Sequence, residues 1–162
     1  MAKGWIGKEV DERFLHDGLK LINVTVPLKA SADAVWAVFA DLHGSVFFPG
    51  FREEHSSPVP GRVGTVRTLS AFKGFLRFDE YYYIWDDVAR RRAFYVTNYN
   101  RAPIVKTAVA EEHSVAARGN GSVLHWTFVV ERKPLLRLIS LVATPALSAL
   151  LRRRFIRRFD GS

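Results

Sequence analysis

Residues 19–26 (LKLINVTV) alternate apolar and polar side chains at the two-residue period of a strand with one buried face, and Pro27 is expected to limit it. Ser31 stands where it would cap a helix over residues 32–40 (ADAVWAVFA), with Val35, Trp36 and Phe39 on one side. Residues 41–51 (DLHGSVFFPGF) read as a second short helix ended by Pro49-Gly50. Strand-like runs follow at 52–57, 63–72, 75–85, 92–99, 104–117 and 123–132. Turn signals separate them, notably Gly61 to Gly64, Asp86 to Arg90, and the tight hairpin at Gly119-Asn120-Gly121. Ahead of all these, Ile6, Val10 and Phe14 recur every four positions. That allows a short helix within residues 1–18, a segment expected to be peripheral.

The pattern changes at Pro134. Between Leu135 and Leu151 the only charge is Arg137, and Arg152, Arg153, Arg154, Arg157 and Arg158 then arrive together. A helix this apolar is expected to hide nearly all of its circumference. It is short for a membrane span, and Pro145 sits in its middle. Strand, two helices, antiparallel strands and a long helix make an α+β layout in which a curved sheet wraps the last helix. Ala143, Thr144, Ala146, Ser148 and Ala149 would leave room along that helix. An internal hydrophobic cavity is therefore expected between the sheet and residues 135–151. No repeat or linker interrupts the chain, and residues 1–162 read as one domain.

Composition narrows the chemistry. A hydrophobic fraction of 48% with 13% aromatics indicates a folded globule whose many rings can fill a core or line a pocket. Absence of cysteine excludes disulfides, thiolate catalysis and Cys-ligated zinc. The first eighteen residues lack the apolar run of a signal peptide, so a cytoplasmic location is expected. The net charge of +8 draws a protein to anionic lipid, nucleic acid or acidic ligands. The five clustered arginines either complement the terminal helix dipole or contact an anionic membrane; nucleic acid is the weaker reading.

Alternation also assigns faces. Leu76, Phe78, Tyr82 and Ile84 share one side with Glu80, while Arg77 and Asp79 lie on the other. A carboxylate on an apolar face must neutralise or find a cation, and Arg67 on the neighbouring strand is the candidate. The pair is read either as a device fixing sheet register or as a polar anchor at the end of a greasy pocket. Phe94 is placed inside, with Val96 and Asn98 on its side; Asn98 offers an amide to the pocket or simply ends the strand. Leu124, Trp126, Phe128 and Val130 face in, and His125, Thr127 and Glu131 face out. Glu111 and His113 share a strand face, a weak metal or acid–base signal, with the surface as their expected place. His43 falls near the expected pocket mouth, where an acid–base role is open. No histidine is spaced for a metal, and neither a nucleophile elbow nor a phosphate loop is present, so no metal or cofactor is expected.

Several segments in order resemble the START-like superfamily, also called SRPBCC or the birch-pollen-allergen fold, in its polyketide cyclase/dehydrase and lipid-transport branch. They are the helix opened by Ser31-Ala32-Asp33-Ala34-Val35-Trp36, then Gly61-Arg62-Val63-Gly64-Thr65-Val66-Arg67, Gly74 with Glu80 and the Asp86-Asp87 turn, Arg91 to Val96, and Gly121-Ser122-Val123-Leu124-His125-Trp126. The resemblance covers residues 19–158 and implies a helix-grip fold with a cavity for lipids, polyketides, sterols or other hydrophobic molecules. The expected function is binding or transport of a hydrophobic small molecule, with Arg67, Phe78, Glu80, Tyr82, Phe94, Asn98, Trp126 and Phe128 as candidate ligand contacts. The alternative is a cyclase or dehydratase using the same cavity, with Glu80, Tyr82, His43 and Arg67 as acid–base candidates. A third reading, an RNA-associated or protein-interaction module, would rest on the basic end alone.

Overall fold

The computed structural model describes residues 5–41, 50–55, 61–100 and 107–161. In chain order they form β1 (Trp5–Ile6), α1 (Glu12–Asp17), β2 (Leu19–Leu28), α2 (Ala32–Ala40), β3 (Phe51–His55), β4 (Val66–Ala71), β5 (Leu76–Asp86), β6 (Arg91–Tyr99), β7 (Val109–Arg118), β8 (Gly121–Val130) and α3 (Pro134–Asp160). One curved antiparallel sheet runs β2-β8-β7-β6-β5-β4-β3, and β1 pairs with Asn98 and Tyr99, beyond the part of β6 that pairs with β7. The expected helix over 41–51 and the start of the strand expected from 104 lie largely outside the described residues.

Local chemistry accounts for most of these elements. Buried Ile22, Val24, Val26 and Leu28 alternate with exposed neighbours along β2. Pro27 does not end the strand, because it takes an exposed position on the edge of the sheet, where a residue without an N–H is tolerated. The Ser31 hydroxyl accepts from the Ala34 N–H at 3.3 Å and caps α2. Gly119, at φ 57°, supplies the left-handed backbone of the β7–β8 turn. Ile6 is in a strand, not in the helix its spacing allowed. The reason is Gly7, whose N–H donates to the Thr97 carbonyl at 2.6 Å; a Cβ there would meet the Val96 carbonyl oxygen at 1.9 Å. With the chain pinned against β6, α1 starts later, under an Asp11 cap. Leu15 then covers the outer face of the sheet with Ala93, Tyr95, Ala110 and Val129, and Val10 and Phe14 pack alongside.

The inner face holds the other packing. Trp36 and Phe39 of α2 join Leu151 and Phe155 of α3 against Val24, Val26, Leu124 and Trp126. Two contacts fix α2 over the sheet: the Arg90 guanidinium donates to Asp33 at 2.6 and 2.8 Å, and the Trp36 indole donates to Asp87 at 3.0 Å.

The expectation that the terminal helix hides its circumference is not met. Only Leu136, Leu151 and Phe155 of α3 are buried, while Leu135, Leu138, Leu141 and Val142 stand exposed. The cause is placement: α3 lies along β2, the edge strand, so one narrow stripe of the helix meets protein.

Candidate functional site

Between the strands lies a cavity of about 420 Å³, within the range of small-molecule sites. Leu69, Phe78, Phe94, Val96, Trp126 and Phe128 form much of its wall, and the half-buried Leu21, Phe51 and Leu76 line its less buried end. The sheet builds nearly all of it. Helix α3 contributes Leu136 alone, so the small residues Ala143 to Ala149 do not line the space as expected.

Five polar side chains gather at the most buried part of this apolar wall: Arg67, Glu80, Arg92, Glu111 and His113. Register explains the first pair, since Arg67 and Glu80 are directly opposed on β4 and β5. Arg67 Nε and Nη2 donate to Glu80 Oε2 at 2.7 and 2.6 Å, and Glu53 Oε1 stands 4.0 Å from Nη1. The guanidinium lies over Phe94 and Tyr82 at 5.3 and 5.6 Å. On β7, Glu111 and His113 point inward together, with His113 Nε2 3.0 Å from Glu111 Oε1. The His113 ring packs between Phe39 and Trp126 at 4.8 and 4.7 Å. Arg92 donates to the Phe39 carbonyl at the end of α2 and lies over Phe39, Tyr82 and Trp85.

Burial dominates the electrostatics. It pushes Glu80 up to about 7 against the pull of Arg67. It lifts Glu111 to about 7 as well, with Arg67, Arg92 and the Trp126 indole opposing. Burial and the nearby guanidiniums hold His113 well below the usual imidazole range, so the ring is neutral at pH 7. Burial also lowers Arg92. For Arg67 the same burial is outweighed by Glu80, Tyr82 and Glu53, and its value is raised.

Nε2 of the neutral His113 ring stands 3.0 Å from Glu111 Oε1, and Nδ1 lies on the other side of the ring. Neither this Nδ1 nor Arg92 Nε nor the Tyr82 hydroxyl has a hydrogen-bond partner among the described residues. No carboxylate forms a salt bridge with Arg92 among them either. Among the described residues no three His, Asp or Glu side chains converge as a metal site.

Of the residues named from sequence, Arg67, Phe78, Glu80, Phe94, Trp126 and Phe128 line the cavity together. Tyr82 does not. It is fully buried one layer behind, against Phe94 and Trp85, each at 5.1 Å between ring centroids. Asn98 is exposed and donates to Asp79 at 3.1 Å. A bulge explains it: Glu80 pairs with Val96 and Asp79 with Asn98, so Thr97 is an extra residue that flips the alternation and turns Tyr99 inward. A second bulge at Tyr83 turns Ile84 to the outer face, away from Glu80. Glu111 and His113, expected at the surface, lie inside, because β7 is a central strand with its inner face under α2. Arg92 was missed; its neighbour Phe94 carried the signal, being two positions away on the same strand face. His43 lies outside the described residues.

The sequence matches the family model for polyketide cyclase/dehydrase and lipid transport over residues 21–160. None of the curated proteins matches. Among solved structures, norcoclaurine synthase of Thalictrum flavum, in complex with dopamine and hydroxybenzaldehyde, aligns with a TM-score of 0.61 at 16% identity, covering 94% of each chain. Major latex-like protein 151 of Panax ginseng aligns at 0.59 and 14% identity, covering 85% of this chain and 95% of its own. A protein of Nitrosospira multiformis aligns at 0.63 and 12% identity, covering 85% and 94%. At these identities the structures share the fold with this chain, a sheet gripping a long terminal helix. With the family model matched over nearly the whole chain, the protein belongs to the polyketide cyclase/dehydrase and lipid transport family of the SRPBCC superfamily.

Proposed function

We propose that this protein binds or carries a hydrophobic small molecule whose one polar end, acidic or electron-rich, lies against Arg92 and Arg67 in the cavity. The observation that carries the reading is Arg92. It lines the cavity beside Arg67, Glu80, Glu111 and His113 at 3% exposure and, among the described residues, forms no salt bridge and has no hydrogen-bond partner at Nε. Glu111 and Glu80 attract it without a direct salt bridge, so burial still costs, and a ligand oxygen at Nε would offset that cost. Hydrogen bonds to charged groups contribute about 1.5–3 kcal/mol, and each buried methylene of the ligand adds about 0.8 kcal/mol.

The test compares a long-chain carboxylate with an alkane probe of equal length. Arg92→Met is expected to weaken carboxylate binding by roughly tenfold or more while leaving the alkane nearly unchanged. Arg67→Ala should act in the same direction by removing the second guanidinium, whereas Glu80→Gln, which removes the carboxylate that competes for Arg67, should not weaken carboxylate binding. Equal losses for both probes would make the cluster structural and the anchor reading wrong.

A second reading is favoured by the Glu111–His113 pair. A neutral imidazole oriented by a carboxylate, with Nδ1 unpartnered, has the make-up of a general base for cyclisation of a poly-β-ketone. Formation of a cyclised product by the wild type and its loss in His113→Phe, with binding retained, would establish turnover. No product above background would leave a carrier.

A further inference from the structure

Helix α3 carries a face that the fold does not use. Leu135, Leu138, Leu141 and Val142 are 60, 66, 70 and 78% exposed, and Pro145, Ala146 and Ala149 continue the apolar surface toward the C-terminus. Contiguous exposed apolar surface of this kind marks an interaction site. Cations bracket it: Arg132 and Arg137 at one end, Arg152, Arg153, Arg157 and Arg158 at the other, all exposed. From Pro134 to Phe159 there is no Asp or Glu. The carboxylate that follows, Asp160, is occupied by the Lys29 and Ala30 N–H groups at 2.9 and 3.3 Å.

We propose that this face docks on an anionic lipid surface, with α3 lying in the membrane plane. The outward leucines and Val142 enter the acyl boundary, and the arginines meet the head-group phosphates and carboxylates. Charge selects this occupant over a second copy of the chain. Pairing α3 with α3 in antiparallel fashion would set the Arg152–Arg158 end against Arg132 and Arg137, and parallel pairing would set the arginine ends against each other. No carboxylate on the face offsets either repulsion. Nucleic acid would satisfy the arginines and leave the apolar turns wet. A membrane-spanning helix would have to withdraw Leu151 and Phe155 from the core.

The same turns reach the cavity. Leu136 lines it, and Leu19, Arg132, Lys133, Arg137 and Leu138 form a cationic and apolar groove at the same end of α3. Docking would bring this end of the binding space to the lipid. The inference stands on the surface of α3 and does not depend on which molecule the cavity holds.

The experiment uses the full chain and vesicles of phosphatidylcholine with or without phosphatidylserine. Wild type should co-sediment with the anionic vesicles and not with the neutral ones, and binding should fall as salt is raised. Each arginine at such a surface is worth roughly a fivefold change in binding, so replacing Arg152, Arg153, Arg157 and Arg158 by Gln should cost at least about a hundredfold. Leu138→Asp with Val142→Asp, both on the exposed face, should abolish binding while the melting temperature stays at the wild-type value. Because the chain has no cysteine, Val142→Cys can carry one environment-sensitive dye. Its emission should shift to the blue on anionic vesicles, and a dye at Val88→Cys on the β5–β6 turn should not respond. Equal binding to neutral vesicles, indistinguishable binding by the Gln variant, or an unshifted dye at position 142 would overturn the proposal. So would a self-associated wild type that Leu138→Asp with Val142→Asp turns monomeric with no effect on lipid.

Discussion

At the scale of single residues, the buried cluster is where function and stability pull against each other. Glu111 is held at about 7, well above the usual carboxylate value, mainly by burial. In this pH range the folded state therefore binds more protons at Glu111 than the unfolded state does. Its contribution to stability is fully present below about pH 4.5 and is lost as pH rises through about 7. His113 has the opposite sign. Its depressed value means that the unfolded state takes up protons first, so its contribution is lost as pH falls below about 6.5. The two offset each other across much of the window, and Glu80 adds to the trend of Glu111. Glu111→Gln removes one side of the balance. The stability of the variant minus that of the wild type should rise from pH 4.5 to 7 and level off above it, by on the order of 3 kcal/mol. Denaturant unfolding at several pH values reads this directly, and a difference independent of pH would show that Glu111 titrates normally.

At the scale of elements, α3 is the least uniform piece of the molecule. Phe155 is fully buried against Trp126 and Phe39, at 5.2 and 6.3 Å between centroids. Leu138, more than four turns earlier, has solvent on most of its surface. Phe155→Ala should cost about 3–5 kcal/mol and Leu138→Ala no more than about 0.5 kcal/mol. Comparable losses from both in a thermal melt would mean that the outward face is covered in solution. Periodicity made the helix and most strands legible, because alternation and caps are local: β2, Ser31 and the Gly119 turn follow from their own neighbours. What it left hidden was non-local. A one-residue bulge at Thr97 sends Asn98 out and brings Tyr99 in, and no side chain announces it. Glu111 and His113 look like surface residues until β7 is known to be central. The apolar run after Pro134 invited complete burial, whereas the edge position of β2 decides that only a stripe is covered. The Arg67–Glu80 pair was legible because an acid and a base stood on adjoining strands with apolar company on both sides.

For the whole molecule, the cavity sets a balance between ligand and stability. Its wall is apolar surface with few partner atoms across the space, and such surface forgoes dispersion contacts that a packed core would make. A bound molecule supplies them and stabilises the folded state by RT ln(1 + [L]/Kd), about 2.7 kcal/mol at a hundredfold excess over Kd. Val96 is a useful point of attack: it is buried, lies on β6 between the polar cluster and Tyr99, and faces the cavity. Val96→Phe puts a ring into the space where the ligand would lie. In a packed core the extra volume would cost about 1–3 kcal/mol through strain. Directed into a cavity of about 420 Å³, it should instead leave the melting temperature unchanged or raised. The same variant should lose the rise in melting temperature that a long-chain carboxylate is expected to give the wild type. These two effects must appear together. A variant that melts lower and still responds to the carboxylate would place ligand binding elsewhere on the protein.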